Sequence, residues 1–219
     1  CFLSKQIPNF INETLNVLLH KVNNPESIRQ FRPISLCSVS YKITTKLIVG
    51  RLRTLFDNLV SPNQSSFIPG RSSTDNIIIT QEILHSLRHK KGKNGSMIFK
   101  IDLEKAYDRL SWDFIKDTLI DFKLNDSWIE LIMSCVSNKH SSILWNGELI
   151  EGIHNERGLR QGDLLSPYLF VLCMERLSNM INTKVSKGSW KGSKASNSSP
   201  PLSYLFFEDF LIHFAQSDH

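Results

Sequence analysis

The nine residues Tyr204 to Ile212, YLFFEDFLI, set two adjacent carboxylates, Glu208 and Asp209, inside an aromatic and aliphatic run. Flanks of this composition read as strand and want burial. Two neighbouring like charges want water or a cation, and are costly on an apolar hairpin unless something neutralises them. The chain must therefore bury the two arms of this hairpin while keeping the acids at its turn.

A cation at that turn calls for another acid at the same end of the sheet. Asp102 is the best candidate, because it closes the short apolar strand SMIFKID, Ser96 to Asp102. Three carboxylates converging from a strand end and a hairpin turn make a hard, oxygen-rich site suited to Mg²⁺. Two such ions, roughly 3.5–4 Å apart, clamp attacking and leaving oxygens in phosphoryl transfer. On these residues alone, a solvated turn at Glu208 and Asp209 and an ordinary strand-end acid at Asp102 is the competing reading.

Helical spacing of Ile43, Leu47, Ile48, Leu52, Leu55, Phe56 and Leu59 predicts a helix over Tyr41 to Leu59, with Lys42, Lys46, Arg51 and Arg53 on its solvated faces. After a Pro/Gly-broken loop, a second helix is expected from about Thr74 to Lys90, with Ile77, Ile83, Leu84 and Leu87 inward. Beyond the strand ending at Asp102, Ser111 caps one helix, with Trp112, Ile115, Leu119 and Phe122 along its stripe. Ser127 and Glu130 form a capping box for the next, whose stripe is Trp128, Leu131, Ile132, Cys135 and Val136. Asn146-Gly147 marks a hairpin. Ser166 and Pro167 open a further helix, and Lys184 to Ser203 reads as a loop with weak strands. Strands interleaved with helix pairs predict an α+β fold with an antiparallel sheet covered on one face by helices.

The chain has 219 residues, 41% of them hydrophobic, enough for a large domain or two small ones with a real core. No apolar run approaches 18 residues, so no membrane span is expected. The net charge of +5 permits a polyanionic partner. None of the four cysteines forms a CxxC pair, which argues against a zinc site, and Cys135 and Cys173 read as buried free thiols. The first residue is Cys1 and no signal-peptide pattern follows, so the chain reads as a piece of something longer.

Five stretches occur in order: FRPISLCSVSYKITTKLI, NQSSFIPGRSSTDNI, FKIDLEKAYDRLSW, RGLRQGDLLSPYLF and SYLFFEDFLIHF. Together, from about Asn12 to Phe214, they resemble the reverse transcriptases of non-LTR retrotransposons, the LINE type, plant copies in particular. The resemblance implies a right-hand polymerase, with a fingers region and part of the palm over 1–95 and a palm with catalytic motifs over 96–219, the thumb absent. It implies RNA-directed DNA polymerase activity with an RNA template, a DNA primer, deoxynucleoside triphosphates and two Mg²⁺ ions, Mn²⁺ being a substitute, and an intracellular location in nucleus or cytoplasm.

Motif matching places Asp102 on the first catalytic aspartate, and Glu208 and Asp209 on the paired aspartates, all three as metal ligands. Tyr107 falls on the bulky residue that excludes the ribose 2′-hydroxyl; without the resemblance it reads as a core aromatic. Gln161 and Gly162 fall near the incoming nucleotide and template. Arg32 matches a triphosphate-binding arginine, assisted by Lys21, and each reads otherwise as a surface charge. Arg71 is either a template-backbone contact or a surface charge.

Two residues depart from the family pattern: Glu208 stands where aspartate is usual, and Leu164 where proline is usual. These departures keep a second reading open, a non-catalytic nucleic-acid-binding remnant of a decayed retroelement. A Mg²⁺ phosphohydrolase would need only the acids and leaves the other motifs unexplained.

Overall fold

A computed structural model describes residues 5–89, 95–138, 140–196, 198–207 and 210–216. In chain order the elements are α1 (Asn9–Asn12), β1 (Thr14–His20), β2 (Phe31–Cys37), α2 (Val39–Leu59), α3 (Ser73–His89), β3 (Ser96–Asp102), α4 (Ala106–Arg109) and α5 (Trp112–Asp121). They continue with α6 (Asp126–Val136), β4 (His140–Trp145), β5 (Glu148–His154), α7 (Ser166–Ser186), β6 (Tyr204–Phe207) and β7 (Phe210–Gln216). The chain divides into two compact units, Cys1–Thr54 with Lys105–Cys173, and Leu55–Glu104 with Met174–His219.

The first unit holds a four-stranded sheet in the order β2-β1-β4-β5. The sequence pattern predicts no strand before Ser96, and the expected sheet was wholly antiparallel. Here β1 pairs antiparallel with β2 but parallel with β4, through Leu15↔Ser142, Asn16↔Ile143 and Val17↔Leu144. Pro33 is tolerated because β2 is an edge strand. The Asn146-Gly147 hairpin forms as expected, with Trp145 paired to Glu148 and positive φ at both turn residues, 50° and 85°.

Around this sheet the helices start where side chains meet free N–H groups. Ser38 Oγ accepts from Tyr41 N at 3.2 Å and opens α2. Ser111 Oγ accepts from Phe114 N at 3.2 Å and opens α5, as the sequence predicts. The cap of α6 differs from expectation. Asn125, not Ser127, is the N-cap, and its side chain accepts from Ser127 N at 2.9 Å. An Asn two residues upstream satisfies the helix start earlier, so the helix begins before the Ser-x-x-Glu box. The start of α7 also shifts. Leu165 C=O accepts the first helical bond, from Leu169 N at 3.2 Å, so Ser166 lies inside the first turn. The Asp163 carboxylate takes Leu165 N at 3.2 Å just ahead of it. Tyr41, Ile48, Ile115, Leu119, Ile132, Leu165 and Phe170 are fully buried in this unit.

The second unit holds a three-stranded antiparallel sheet, β3-β7-β6. Its core cluster is Ile83, Leu205, Phe207 and Phe214, with Leu87, Ile98 and Phe210 among the side chains packed on it. All four residues of β6 are buried. Full burial of each such large side chain contributes about 1.5–3 kcal/mol. Helix α3 presents Ile83 to this cluster, but Ile77 and Leu84, expected inward, are 47% and 39% exposed. The buried side of α3 instead carries Asn76, whose Nδ2 donates to Phe206 C=O at 3.1 Å and Ser65 Oγ at 3.0 Å. A buried amide bound to the backbone of β6 sets the rotation of the helix, and the apolar residues follow.

Cys135 and Cys173 are buried and free, as predicted. No helix among the described residues is long and apolar enough to cross a membrane.

Candidate functional site

The residues singled out in the sequence fall into two groups, one in each compact unit. Lys21, Arg32, Tyr107, Gln161 and Gly162 belong to the first, and Asp102 to the second. Glu208 and Asp209 lie outside the described residues.

In the first unit, the segment after α4 and the loop before α7 are stitched together by backbone bonds. Gly158 N donates to Leu110 C=O at 2.8 Å, and Leu159 N to Tyr107 C=O at 2.9 Å. Trp112 Nε1 donates to Gly158 C=O at 3.0 Å. This holds Tyr107 in place half-buried, with its ring stacked on Phe170 at 4.8 Å and 13° between planes. Next to it, Asp108 accepts from Gln161 Nε2 at 3.2 Å. Gln161 also accepts Ser35 N through its backbone carbonyl at 2.7 Å, tying the loop to β2. Gly162 has φ of +102°, and a Cβ there would lie 3.3 Å from Ser35 O and 3.5 Å from Ile34 Cγ2. Glycine is required on both counts.

Arg32 is exposed in β2, paired with Leu19. Strand alternation sets it on the same sheet face as Ile34, which Gly162 approaches. The opposite face, carrying Asn16 and Ser35, borders a pocket of about 280 Å³ that Asp108, Arg157, Arg160 and Gln161 also line. Lys21 follows β1, and its Nζ donates to Arg29 C=O at 3.4 Å.

Sequence reasoning missed a buried polar network behind this loop. Arg160 lies over the Tyr41 ring at 4.7 Å, and its Nη2 donates to Asn12 Oδ1 at 2.8 Å. The Tyr41 hydroxyl donates to Asp163 Oδ2 at 3.0 Å. Burial pushes the Asp163 carboxyl up, against the pull of the Leu165 amide, the Tyr41 hydroxyl and the Arg160 charge. Burial likewise raises Tyr41 well above its usual range and pushes the Cys135 thiol up to about 12. The hydrogen bonds of Asp163 and Arg160, on either side of Gln161 and Gly162, anchor the loop that carries them. The only signal in the sequence was the proximity of Arg160 and Asp163 to that motif.

In the second unit, the register decides the position of Asp102. Asp102 pairs with Phe210, and Phe210 pairs with Phe207 across the hairpin. Asp102 is exposed there. Arg71 is not merely the surface charge that one expectation made it. Its guanidinium donates to the carbonyls of Val60, Ser61 and Gln64, closing the chain that leaves α2. A planar donor fork suits several converging carbonyls. Among the described residues no group of three or more His, Cys, Asp and Glu side chains gathers to hold a metal ion.

Comparison with known proteins gives a consistent result. The family model described as reverse transcriptase (RNA-dependent DNA polymerase) matches residues 19–218. The TX1 transposon 149 kDa protein of Xenopus laevis is 29% identical over 174 residues, which cover 80% of this chain and 13% of that protein. The Pol polyprotein of the R2DM retrotransposable element of Drosophila melanogaster is 28% identical over 212 residues, covering 96% of this chain and 19% of that protein. The chain thus spans less than a fifth of the length of either relative. A telomerase from Candida tropicalis, solved with a fragment of telomeric RNA, superposes with a TM-score of 0.60 at 15% identity, covering 97% of this chain and 37% of that chain. At that identity the likeness is one of fold, and the α+β architecture is consistent with polymerase fingers and palm. Matched over nearly its whole length, this chain belongs to the reverse transcriptase family.

Proposed function

We propose that this chain supplies the fingers (1–95) and palm (96–219) of an RNA-directed DNA polymerase that extends a DNA primer on an RNA template with deoxynucleoside triphosphates. The observation that carries the reading is the register of the three-stranded sheet. Asp102 pairs with Phe210, and Phe207 and Phe210 flank Glu208 and Asp209 in the chain. Asp102 closes β3 at the sheet end where β6 stops at Phe207 and β7 begins at Phe210, which supports the reading.

The donors fit a hard cation. Asp102 is exposed, and its two proposed co-ligands are also carboxylates. Mg²⁺ ions bound there, or Mn²⁺ in their place, would neutralise the triphosphate and stabilise the attacking and leaving oxygens. The remaining roles belong to the chain's own side chains. Arg32 binds phosphate through its fork, with Lys21 as a point charge. Gln161, held by Asp108 and by the backbone of Ser35, borders the nucleotide, and Gly162 lets the loop approach β2 closely. Tyr107, stiffened by its stacking on Phe170, excludes a 2′-hydroxyl by clash.

Glu208 favours a second reading. It keeps the charge of the family's aspartate but adds a methylene, and misplacement near 1 Å costs on the order of 10²-fold in rate. We therefore expect primer–template binding with weak polymerisation. The test is primer extension on RNA with the chain, Glu208→Asp and Asp102→Asn. A gain of roughly tenfold or more in Glu208→Asp, lost again when Asp102→Asn is added, supports the metal-site reading. Extension that Asp102→Asn leaves intact overturns it. Binding without extension in every form leaves the non-catalytic reading. Tyr107→Ala should admit ribonucleotides, and unchanged discrimination would make Tyr107 a packing residue alone.

A further inference from the structure

Residues 184–207 contain four lysines, Lys184, Lys187, Lys191 and Lys194, and no acidic residue. The whole chain has 26 basic and 21 acidic residues, so 22 basic remain elsewhere against those 21, and nearly all of the net +5 resides in this one segment. All four lysines are exposed. Lys184, Lys187 and Lys194 pair with no carboxylate among the described residues. Lys184 lies in the last turn of α7, where positive charge complements the helix dipole.

The segment is fastened to the sheet. Trp190 Nε1 donates to Phe214 C=O at 3.0 Å, and its ring lies 5.0 Å from that of His213. Lys191 C=O accepts from Gln216 N at 3.1 Å, and Gly192 C=O from Gln216 Nε2 at 3.1 Å. Ser193 and Leu202 exchange two backbone bonds, at 2.9 and 2.7 Å. A Cβ on Gly192 would lie 2.5 Å from Leu202 O, so that approach admits only glycine. These bonds hold residues 190–193, and with them Lys191 and the neighbouring Lys194, at the Gln216 end of β7. The Phe210 end, opposite Asp102, is six residues away, about 20 Å along an extended strand. Lys191 and Asp102 thus stand at opposite ends of one sheet.

We propose that this lysine-bearing edge is a second nucleic-acid contact, gripping the sugar–phosphate backbone away from the acidic end. The choice of nucleic acid among polyanions rests on the polymerase reading above. A membrane surface fits less well, because the segment's aromatic side chains are not free to insert: Tyr204, Phe206 and Phe207 are buried, and Trp190 is half-buried with its N–H bound inward. Four lysines touching phosphates give a sequence-independent contact whose log affinity falls with log salt by about 0.9 per phosphate engaged.

The experiment measures binding of a 20-base-pair RNA–DNA duplex to the full chain by fluorescence anisotropy in EDTA across a salt series. The variants replace all four lysines by Gln, or all four by Arg. The Gln form should bind at least tenfold more weakly at low salt, with a salt slope shallower by about 2–4, and the Arg form should retain both. Thermal melts matching the parent establish that the Gln form is folded. Unchanged affinity and slope in the Gln form overturn the proposal. So does tighter, equally lysine-dependent binding to polyglutamate or to phosphatidylserine vesicles. Failure of the polymerase reading registers separately, as absent primer extension while lysine-dependent duplex binding persists.

Discussion

Two hairpins in this chain have the same format and opposite means of support. In β4–β5, Trp145 pairs with Glu148, and the two residues between are Asn146 and Gly147. In β6–β7, Phe207 pairs with Phe210, and the two between are Glu208 and Asp209. The first hairpin has the turn residues that such a connection favours, and it is exposed: Trp145 is 38%, Leu149 53% and Ile150 47% accessible. The second has poor turn chemistry, yet β6 is buried throughout. A hairpin with little burial depends on its turn. A hairpin built into a core can carry turn residues chosen for another purpose, and such local conflicts concentrate at functional sites.

The contrast is open to direct attack. Phe206→Ala, at a side chain 1% exposed, should cost about 3–5 kcal/mol in urea unfolding, while Leu149→Ser should stay within about 0.5 kcal/mol. Comparable losses in the two variants would erase the distinction. Replacing Glu208-Asp209 by Asn-Gly should raise stability by about 1 kcal/mol while removing any primer extension. Lower stability would mean that the acids serve the fold. Gly147→Ala, at a φ of +85°, should cost about 1 kcal/mol, and a neutral result would show that the exposed hairpin does not depend on its turn.

The smallest effect is a pH slope. Burial raises the Asp163 carboxyl above its ordinary value of 3.8, so between that value and its folded pKa the native state binds more protons than the unfolded chain. Stability should therefore fall as pH rises from about 4 through that window. Glu175, raised for the same reason, adds to the fall. Asp163→Asn should flatten the slope in urea titrations across pH. An unchanged slope would assign it to other groups.

Much of the molecule was legible locally. The strand ending at Asp102, the Asn-Gly hairpin, the Ser111 cap and the buried arms of the last hairpin each depend on neighbouring residues alone, and the motifs that placed Tyr107 and Gln161 are contiguous words. Strands β1 and β2 were not legible, because Asn16, Pro33 and Ser35 blur their alternation and their pairing is completed by β4, far along the chain. Neither was the face of α3, which Asn76 sets through a bond to Phe206 C=O.

The amino-acid order by itself determined the local elements, the identity of the acids and the sequence words that mark the family, since periodicity, caps and turns act over a few residues. Only the tertiary structure decided the parallel β1–β4 pairing, the use of Arg71 as a carbonyl clamp, and the link from Arg160 to Asn12 across 148 residues. It also decided that Asp102 faces Phe210 while Lys191 is fastened at Gln216. The physical reason is that a buried polar group or a strand edge must be satisfied by whatever the folded chain brings beside it, and that partner has no fixed spacing in the sequence.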